Sequence, residues 1–286
     1  MPADTMGHRN QIIGVIRFSY PATDGFAASR MEEGALEAML YAPDRLASRF
    51  AYLETVTLPS LAAQTDGDFD CVILAGTSLP RDAQARLLAL ADRHSFLRIA
   101  FLDRMGPLAA ARRSFRRAVR DDATHVTGFR LDDDDALGVD YVAKARDRAD
   151  RLLAGGFAEG PTCVAFTRGL YWDLHDPDQP FHSFREAYAP SLACAMITTA
   201  DMPTCIYRYN HRRIATFIPT YLEPGGHEMF IRTLHDSNDS GRSIPPHSEP
   251  METVGGRKLL EQRFGIDPEA AMALMAGPVR NSDGSH

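Results

Sequence analysis

Apolar and polar positions along the first half of the chain alternate in blocks that predict strands and helices in turn. Four compact apolar runs predict strands, at residues 12–16, 69–75, 97–102 and 126–131. Apolar residues at helical spacing between them predict helices, at residues 45–61, 81–94 and 107–120. Pro59 lies near the end of the first helix, so we expect a kink or a restart there. Strand–helix alternation is typical of a parallel sheet covered by helices, and it predicts an α/β fold.

The pattern is less regular after Gly138. A charged stretch with helical spacing predicts a helix at residues 140–154. The remaining apolar segments predict further elements: strands at 162–170, 191–198 and 213–219, a short helix at 228–234 and a late helix at 258–264. The last residues, 276–286, are polar and contain glycine, so we expect a flexible tail.

Four consecutive aspartates, Asp132-Asp133-Asp134-Asp135, follow the fourth predicted strand. Adjacent carboxylates repel one another, so either bulk water or a bound cation must offset their charge. On an extended backbone alternate side chains point to one face, which pairs Asp132 with Asp134 and Asp133 with Asp135. Mg²⁺ often uses one or two carboxylates together with substrate phosphates. We therefore predict a metal–diphosphate site; the alternative is an acidic turn on a solvated surface.

Basic side chains are expected near the same edge of the sheet. Arg17 directly follows the first predicted strand, and ligands of open parallel sheets bind beyond the carboxyl ends of the strands. The helix at 107–120 carries several arginines, whose guanidinium groups match phosphate oxygens well. We predict that Arg17 contacts a diphosphate and favour Arg113, then Arg112, as a second contact. The alternative for this helix is a solvated basic face.

A second polar cluster begins at the double glycine Gly225-Gly226, which suits a tight loop. Glu228 then falls in the first turn of the predicted helix. It is a candidate general base beside a hydroxyl group, or else an acid that only favours the helix start. His235 follows the same helix and is a candidate third metal ligand or phosphate contact, with a structural histidine as the alternative.

The segment Tyr171-Trp172-Asp173 contains the single tryptophan of the chain. An aromatic face next to an acid is a common arrangement for binding a sugar, by ring stacking and by hydrogen bonds from hydroxyls to the carboxylate. The alternative is a tryptophan that packs in the core or anchors the surface.

Composition restricts the class of ligand. The net charge of −7 argues against a general nucleic-acid binder, which would need a basic face, but local arginines and a metal still allow a small anionic ligand. Four cysteines are scattered without the close pairs of a zinc site. We see no cleavable leader and no apolar run of about 20 residues. We therefore expect a reduced, cytoplasmic protein without a membrane span; peripheral association with a membrane is compatible with this.

Two blocks of sequence together resemble a known family. The block Thr57-Leu58-Pro59-Ser60-Leu61 and the aspartate run ending in Ala136-Leu137 are similar to those of the bacterial rhamnosyltransferase family. The resemblance covers residues 12 to 240. It implies a GT-A-like fold: an α/β, Rossmann-type mixed sheet, mainly parallel and flanked by helices.

The resemblance also implies roles for individual residues. In GT-A enzymes an Asp-x-Asp at a strand end binds a divalent metal that bridges the nucleotide diphosphate. That role falls on Asp132 and Asp134 or, in the other register, on Asp133 and Asp135. The segment ending at Glu228 is similar in place to the motif that holds the base in inverting enzymes, but it lacks the usual paired acids.

The sequence therefore favours a metal-dependent glycosyltransferase of the inverting type that uses Mn²⁺ or Mg²⁺. It would transfer a sugar, rhamnose by the family's name, from a nucleotide-diphosphate donor to a hydroxyl of a glycan or another acceptor. The predicted donor contacts are Arg17, Arg113, Asp132 and Asp133. Residues 1–138 are expected to form the donor half, and residues 139–275 the acceptor half, of one GT-A domain.

Two other functions compete with this hypothesis. A sugar-phosphate nucleotidyltransferase would share the layout and the acids, but it should carry a glycine-rich phosphate loop after the first strand, where this chain has Arg17-Phe18-Ser19-Tyr20-Pro21. A non-enzymatic metal- or sugar-binding module would use the aspartates only to hold Ca²⁺. It predicts metal binding that does not depend on a nucleotide.

Overall fold

The structure is a computed structural model that describes residues 7–24, 31, 33–236 and 244–276. The described strands are β1 Asn10–Arg17, β2 Phe69–Gly76, β3 Leu97–Leu102, β4 His125–Asp132, β5 Ala136–Leu137, β6 Thr162–Phe166, β7 Arg168–Asp173, β8 Phe181–Arg185, β9 Cys194–Thr199, β10 Thr220–Glu223, β11 Phe230–Leu234 and β12 Glu249–Met251. The described α-helices are α1 Glu33–Leu40, α2 Pro43–Tyr52, α3 Leu58–Ala62, α4 Arg81–Arg93, α5 Pro107–Ala118, α6 Tyr141–Ala154, α7 Thr253–Phe264 and α8 Pro268–Ala273. The predicted tail beyond Ala276 lies outside the described residues.

The four strands predicted in the first half of the chain form one side of a seven-stranded sheet with the order β10-β6-β9-β4-β1-β2-β3. Neighbours among β4, β1, β2 and β3 are parallel, whereas β9 runs antiparallel to both β4 and β6. Helices connect the parallel strands because a parallel pair requires a crossover connection. The predicted GT-A-like α/β fold, a mixed and mainly parallel sheet flanked by helices, is confirmed.

The central strands were easy to predict because the sheet is covered on both faces. Every residue of β2 is buried, as are the six interior residues of β1, so both faces of these strands need apolar side chains. Gly14 has a specific place in this packing. Its register partner is Phe129, and a Cβ atom at Gly14 would lie 2.4 Å from the Phe129 ring. Only glycine therefore lets the ring cross the sheet surface at this point.

A second sheet, which the sequence did not predict, has the order β12-β8-β7-β11-β5. The chain enters it at β5, directly after the aspartate run. The single strand predicted at residues 162–170 is two strands, β6 and β7, which belong to different sheets. The division of the chain near residue 138 into donor and acceptor halves stays a prediction.

Two predicted elements are wrong in type. The helix predicted at residues 228–234 is strand β11, which lies between β7 and β5 in the second sheet. The β-branched residues Ile231 and Thr233, both buried, suit a pleated strand inside the protein. The strand predicted at residues 213–219 is replaced by a 3-10 helix, His211–Thr216, and the strand β10 begins only at Thr220.

The helix predicted at residues 45–61 consists of α2, a π-helical turn at Leu53–Thr57 and α3. The Leu58 amide donates to the Leu53 carbonyl, five residues back, which is the hydrogen bond of a π-turn. The helix thus restarts just before Pro59, as the sequence predicted. No helix within the described ranges is long and apolar enough to span a membrane.

Candidate active site

An open cleft of about 690 Å³ lies at the carboxyl ends of β1 and β4. Arg17 and Asp132, the last residues of these two parallel strands, are register partners and both line the cleft. Asp133, Asp134 and Asp135 line it as well. The expectation that Arg17 and the aspartates meet beyond the strand ends is therefore confirmed.

The aspartate run is a turn rather than an extended segment. β4 ends at Asp132, the Asp135 amide donates to the Asp132 carbonyl at 3.3 Å, and β5 begins at Ala136. The alternation of side chains assumed for an extended backbone is therefore wrong within the run. Asp133, Asp134 and Asp135 are each at most 5% exposed, so their charges must be compensated inside the protein.

Arg49, on α2, compensates two of these charges. Its Nε donates to Asp133 Oδ2 at 2.9 Å, and its Nη1 donates to Asp134 Oδ2 at 3.0 Å. Its Nη2 forms a further ion pair with Asp133 Oδ1. Arg49 is itself buried, so one guanidinium fork fixes both carboxylates in a desolvated setting.

His235 lies on the other side of Asp134. Its Nε2 is 2.7 Å from Asp134 Oδ2, and its ring stacks on Tyr52 with centroids 4.3 Å apart. Burial would raise the pKa of Asp134, but Arg49 and the hydrogen bond from His235 hold that pKa well below its usual value. Asp134 is therefore ionised at neutral pH. His235 Nε2 thus contacts Asp134 in this structure, and its predicted role as a metal ligand stays a prediction.

Asp135 is in the opposite electrostatic situation. Burial, followed by the charges of Asp134 and Asp132, raises its pKa well above the usual value. Its Oδ1 accepts a hydrogen bond from the Thr233 amide at 3.1 Å, and its carbonyl accepts one from Thr57 Oγ1 at 2.9 Å. The corner of the cleft formed by the aspartate run thus holds mutually repelling carboxyl groups, which an added cation would stabilise.

Asp132 is the most accessible of the four aspartates, with 30% of its side chain exposed. Arg130 Nη2 donates to its Oδ2 at 2.6 Å, and the Arg130 guanidinium lies over the Tyr207 ring at 4.8 Å from the ring centroid. Burial would raise the pKa of Asp132, but Arg130 and Arg17 lower it. Asp132 is therefore an ionised carboxylate that faces the cleft.

Several basic residues of the cleft were missed at the sequence level: Arg45, Arg49, Arg130, His211, Arg212 and Arg232. One signal was available for Arg45 and Arg49, because residues four apart share a face of the predicted helix. No comparable signal pointed to His211, which begins the 3-10 helix His211–Thr216 and lies before the strand predicted at residues 213–219. Burial and then Arg130, Arg212 and Arg232 lower the pKa of His211 to about 4, so its imidazole is neutral at pH 7.

Two predicted site residues are not brought to the cleft. Arg113 is exposed on α5 and is not among the residues that line the cleft. Glu228 is buried just before β11, where its Oε1 accepts hydrogen bonds from Arg168 Nε and Ser183 Oγ, each at 3.1 Å. Five residues of extended chain, about 16 Å, separate it from Thr233 beside the aspartates. Glu228 is therefore part of a partly buried ion pair with Arg168 and does not line the cleft.

The donor set of the cleft fits a metal that a substrate helps to hold. Within the described ranges, no three His, Cys, Asp or Glu side chains are grouped as a complete protein-made metal cage. Mg²⁺ bound through substrate phosphates needs only one or two carboxylates, and Asp132 and Asp134 can supply these. After burial, the charges of Asp134 and Asp132 raise the pKa of Asp135, and such a cation would offset these charges.

Solved structures to which the fold of this chain is similar include TarS from S. aureus in complex with UDP-GlcNAc, at 11% sequence identity and a TM-score of 0.46. The match covers 80% of this chain and 60% of the TarS chain, so this chain spans about 60% of the length of that relative. Another is a structure from Desulfovibrio desulfuricans G20 described as a "putative nucleotide-diphospho-sugar transferase". It is 8% identical, with coverages of 94% and 97% and a TM-score of 0.40. No protein of curated function matches the chain.

The family resemblance seen in the Thr57–Leu61 block and the aspartate run extends over most of the chain. The sequence profile of one glycosyltransferase family matches residues 11–247, a range that includes the whole cleft lining. The chain belongs to this family, which is described as "Putative rhamnosyl transferase".

Proposed function

We propose that this protein transfers a sugar from a nucleotide-diphosphate donor to a hydroxyl group of an acceptor, with the donor bound in the cleft at the ends of β1 and β4. The observation that carries the proposal is the pairing of ionised Asp132 and Asp134 with several arginines in one cleft. Family membership supports the reaction class, and the family's name favours rhamnose as the sugar.

The arginines suit the leaving group of such a reaction. When the bond between sugar and diphosphate breaks, negative charge develops on the diphosphate oxygens. Arg17, Arg45 and Arg232 line the cleft together with Arg130, and guanidinium forks match phosphate oxygens in a bidentate geometry. Fixed positive groups aimed at developing charge lower the barrier without reorganisation at the moment of reaction.

A divalent metal, Mn²⁺ or Mg²⁺, is part of the proposal. Asp132 and Asp134 would hold it, and when bound it would supply further neutralisation of the leaving diphosphate. Arg49 and His235 both donate to Asp134, so they fix the orientation of that carboxylate. We assign His235 this positioning role instead of the predicted ligand role.

The loop after β1 favours a glycosyltransferase over the competing nucleotidyltransferase. Phe18 and Tyr20 are both buried in the core, and the Tyr20 hydroxyl donates to the Asp103 carbonyl at 2.6 Å. A segment anchored by two aromatic side chains cannot wrap phosphates with its backbone amides in the way a glycine-rich loop does.

Thermal unfolding with UDP, GDP, ADP and TDP, each with and without Mn²⁺, tests the proposal. A ligand that binds only the folded state adds about 2.7 kcal/mol of stability at one hundred times its Kd. We expect one nucleotide to stabilise the protein, and to do so more strongly with Mn²⁺. The variant Asp132→Asn should lose the metal-dependent part, whereas Asp122→Asn, an exposed aspartate outside the cleft, should keep it. If only Mn²⁺ stabilises the protein, or if no nucleotide does, the proposal is overturned.

A further inference from the structure

A second cleft of about 490 Å³ opens beside the first. The two clefts share the lining residues Ser191, His211, Arg212 and Arg232. The two clefts therefore adjoin at these residues. A molecule bound in the second cleft would lie next to the space in front of the aspartates. A volume of this size is typical of small-molecule sites.

The second cleft is lined by aromatic rings. Tyr171 and Phe184 pack edge to face with centroids 5.5 Å apart, and Phe184 stacks on His247 at 5.8 Å. Tyr188 lines the same cleft and is 56% exposed. Aromatic faces carry partial negative charge, and the C–H bonds on one face of a sugar ring carry partial positive charge. An exposed aromatic ring in a cleft is therefore a suitable platform for a pyranose.

Polar groups stand among these rings. The Tyr171 hydroxyl donates to Glu186 Oε1 at 3.3 Å, and the Arg232 guanidinium lies 5.9 Å from the Tyr171 ring centroid. Burial, followed by the charge of Glu186, raises the pKa of Tyr171 to about 12, so its hydroxyl stays protonated. The cleft thus offers both an acceptor, Glu186, and guanidinium donors for the hydroxyl groups of a sugar.

We infer that the second cleft binds the acceptor as a sugar ring, stacked on Tyr188 and hydrogen-bonded to Glu186, with its reacting hydroxyl beside His211 at the junction of the clefts. This inference rests on the proposed function, because it assumes that the donor occupies the first cleft. It replaces Glu228, which lies in neither cleft lining, as the group that receives the proton.

The chemical step then balances. The acceptor oxygen forms a bond to the anomeric carbon of the donor sugar, and the bond from that carbon to the diphosphate oxygen breaks. The diphosphate leaves with the electron pair, and the hydroxyl proton passes to a ring nitrogen of His211. Burial and then Arg130, Arg212 and Arg232 depress the pKa of His211. A bound diphosphate that neutralises these arginines would remove their part of this effect and make the imidazole a stronger base.

Binding of simple sugars separates this inference from the proposed function. The probes are p-nitrophenyl glycosides of rhamnose, glucose, galactose and N-acetylglucosamine, observed by saturation-transfer NMR and titrated by calorimetry. We expect at least one glycoside to bind, and both Tyr188→Ala and Glu186→Gln to weaken its binding at least tenfold. Tyr221→Ala, which removes another exposed tyrosine, on β10 and outside both clefts, should leave its binding unchanged. Nucleotide stabilisation should be the same in all three variants.

The outcomes are distinct. If a nucleotide stabilises the protein but no glycoside binds, or if Tyr188→Ala and Glu186→Gln bind the glycoside like the parent, the assignment of the second cleft is wrong while the donor proposal stands. Glycoside binding without any nucleotide effect would instead remove the donor proposal. For His211→Asn we expect a 10²- to 10⁴-fold loss of transfer rate with unchanged nucleotide binding. An unchanged rate would remove His211 as the proton acceptor.

Discussion

Arg49 Nη1 lies 3.0 Å from Asp134 Oδ2, inside a part of the cleft wall where both side chains are at most 10% exposed. The same guanidinium binds Asp133, so a single side chain compensates two buried carboxylates of the aspartate run. The geometry of the candidate metal site therefore depends on a residue from α2 that would not itself touch the metal.

Replacing Arg49 with methionine tests this dependence. The substitution keeps an unbranched, flexible side chain but leaves two buried carboxylates without their main partner. Breaking a buried ion pair typically costs 3–5 kcal/mol, so we expect a loss of about that size in the free energy of unfolding, measured with urea. Arg93→Met, at an exposed position on α4, is the matched control and should change it by less than about 0.5 kcal/mol. Equal stability of the two variants would show that Arg49 does not compensate the run.

His235→Asn tests the positioning of Asp134. The variant removes a 2.7 Å hydrogen bond to Asp134 and the stacking on Tyr52. If His235 only orients Asp134, the apparent Kd for Mn²⁺ in the presence of the nucleotide should rise by the 10- to 100-fold typical of residues that orient a metal ligand. Nucleotide binding without metal should stay near normal. Complete loss of metal-dependent binding would return His235 to the predicted role of ligand.

Glu228→Gln tests whether Glu228 acts as the partner of Arg168 in an ion pair or as the predicted general base. A base typically contributes 10²- to 10⁴-fold to rate, whereas a buried acid that accepts hydrogen bonds from Arg168 and Ser183 contributes to stability alone. We expect the transfer rate to change by less than about twofold and the free energy of unfolding to fall by about 1 kcal/mol. A large loss of rate with full stability would restore Glu228 as the base.

The free energy of unfolding at acid pH should depend on the ionisation of Asp140. Burial would raise its pKa, but hydrogen bonds from Arg263 and then Lys144 lower it to about 2, from a usual value of 3.8. A pKa that is lower in the folded state gives stability that is present above the unfolded pKa and is lost as pH falls through the folded one. Asp140→Asn should therefore cost about 2 kcal/mol at pH 7, and this difference from the parent should shrink between pH 4 and pH 2. Asp92→Asn, on the exposed face of α4, should show no such convergence in urea titrations at these pH values.

The parts of the fold that could be predicted are those in which one local pattern decides the structure. Strands β1 and β2 are buried on both faces, and their continuous apolar runs show it directly. The helix prediction for residues 228–234 was wrong because apolar and polar residues there fit a helix as well as a strand. Their structure is decided by pairing with β7 and β5, which are distant in the sequence.

The candidate site divides in the same way. Arg17 and Asp132 could be placed because the ends of adjacent parallel strands must meet. Arg49 is 84 residues away from Asp133, and nothing in the local sequence of either residue specifies that contact. Glu228 was misplaced for a related reason, since its assignment depended on a helix that does not form.

The π-helical turn at Leu53–Thr57 determines how residues before and after it are oriented around the helix that carries Arg49. Each residue of an α-helix turns by about 100°, so residues 49 and 57 would stand about 80° apart on a regular helix. The π-turn takes an additional residue for its revolution, and both Arg49 and Thr57 reach the aspartate run, one at the carboxylates of Asp133 and Asp134 and the other at the Asp135 carbonyl. The one-residue insertion thus brings Arg49 and Thr57 towards one face of the helix, so that a single helix contacts both the carboxylates and the backbone of the aspartate run.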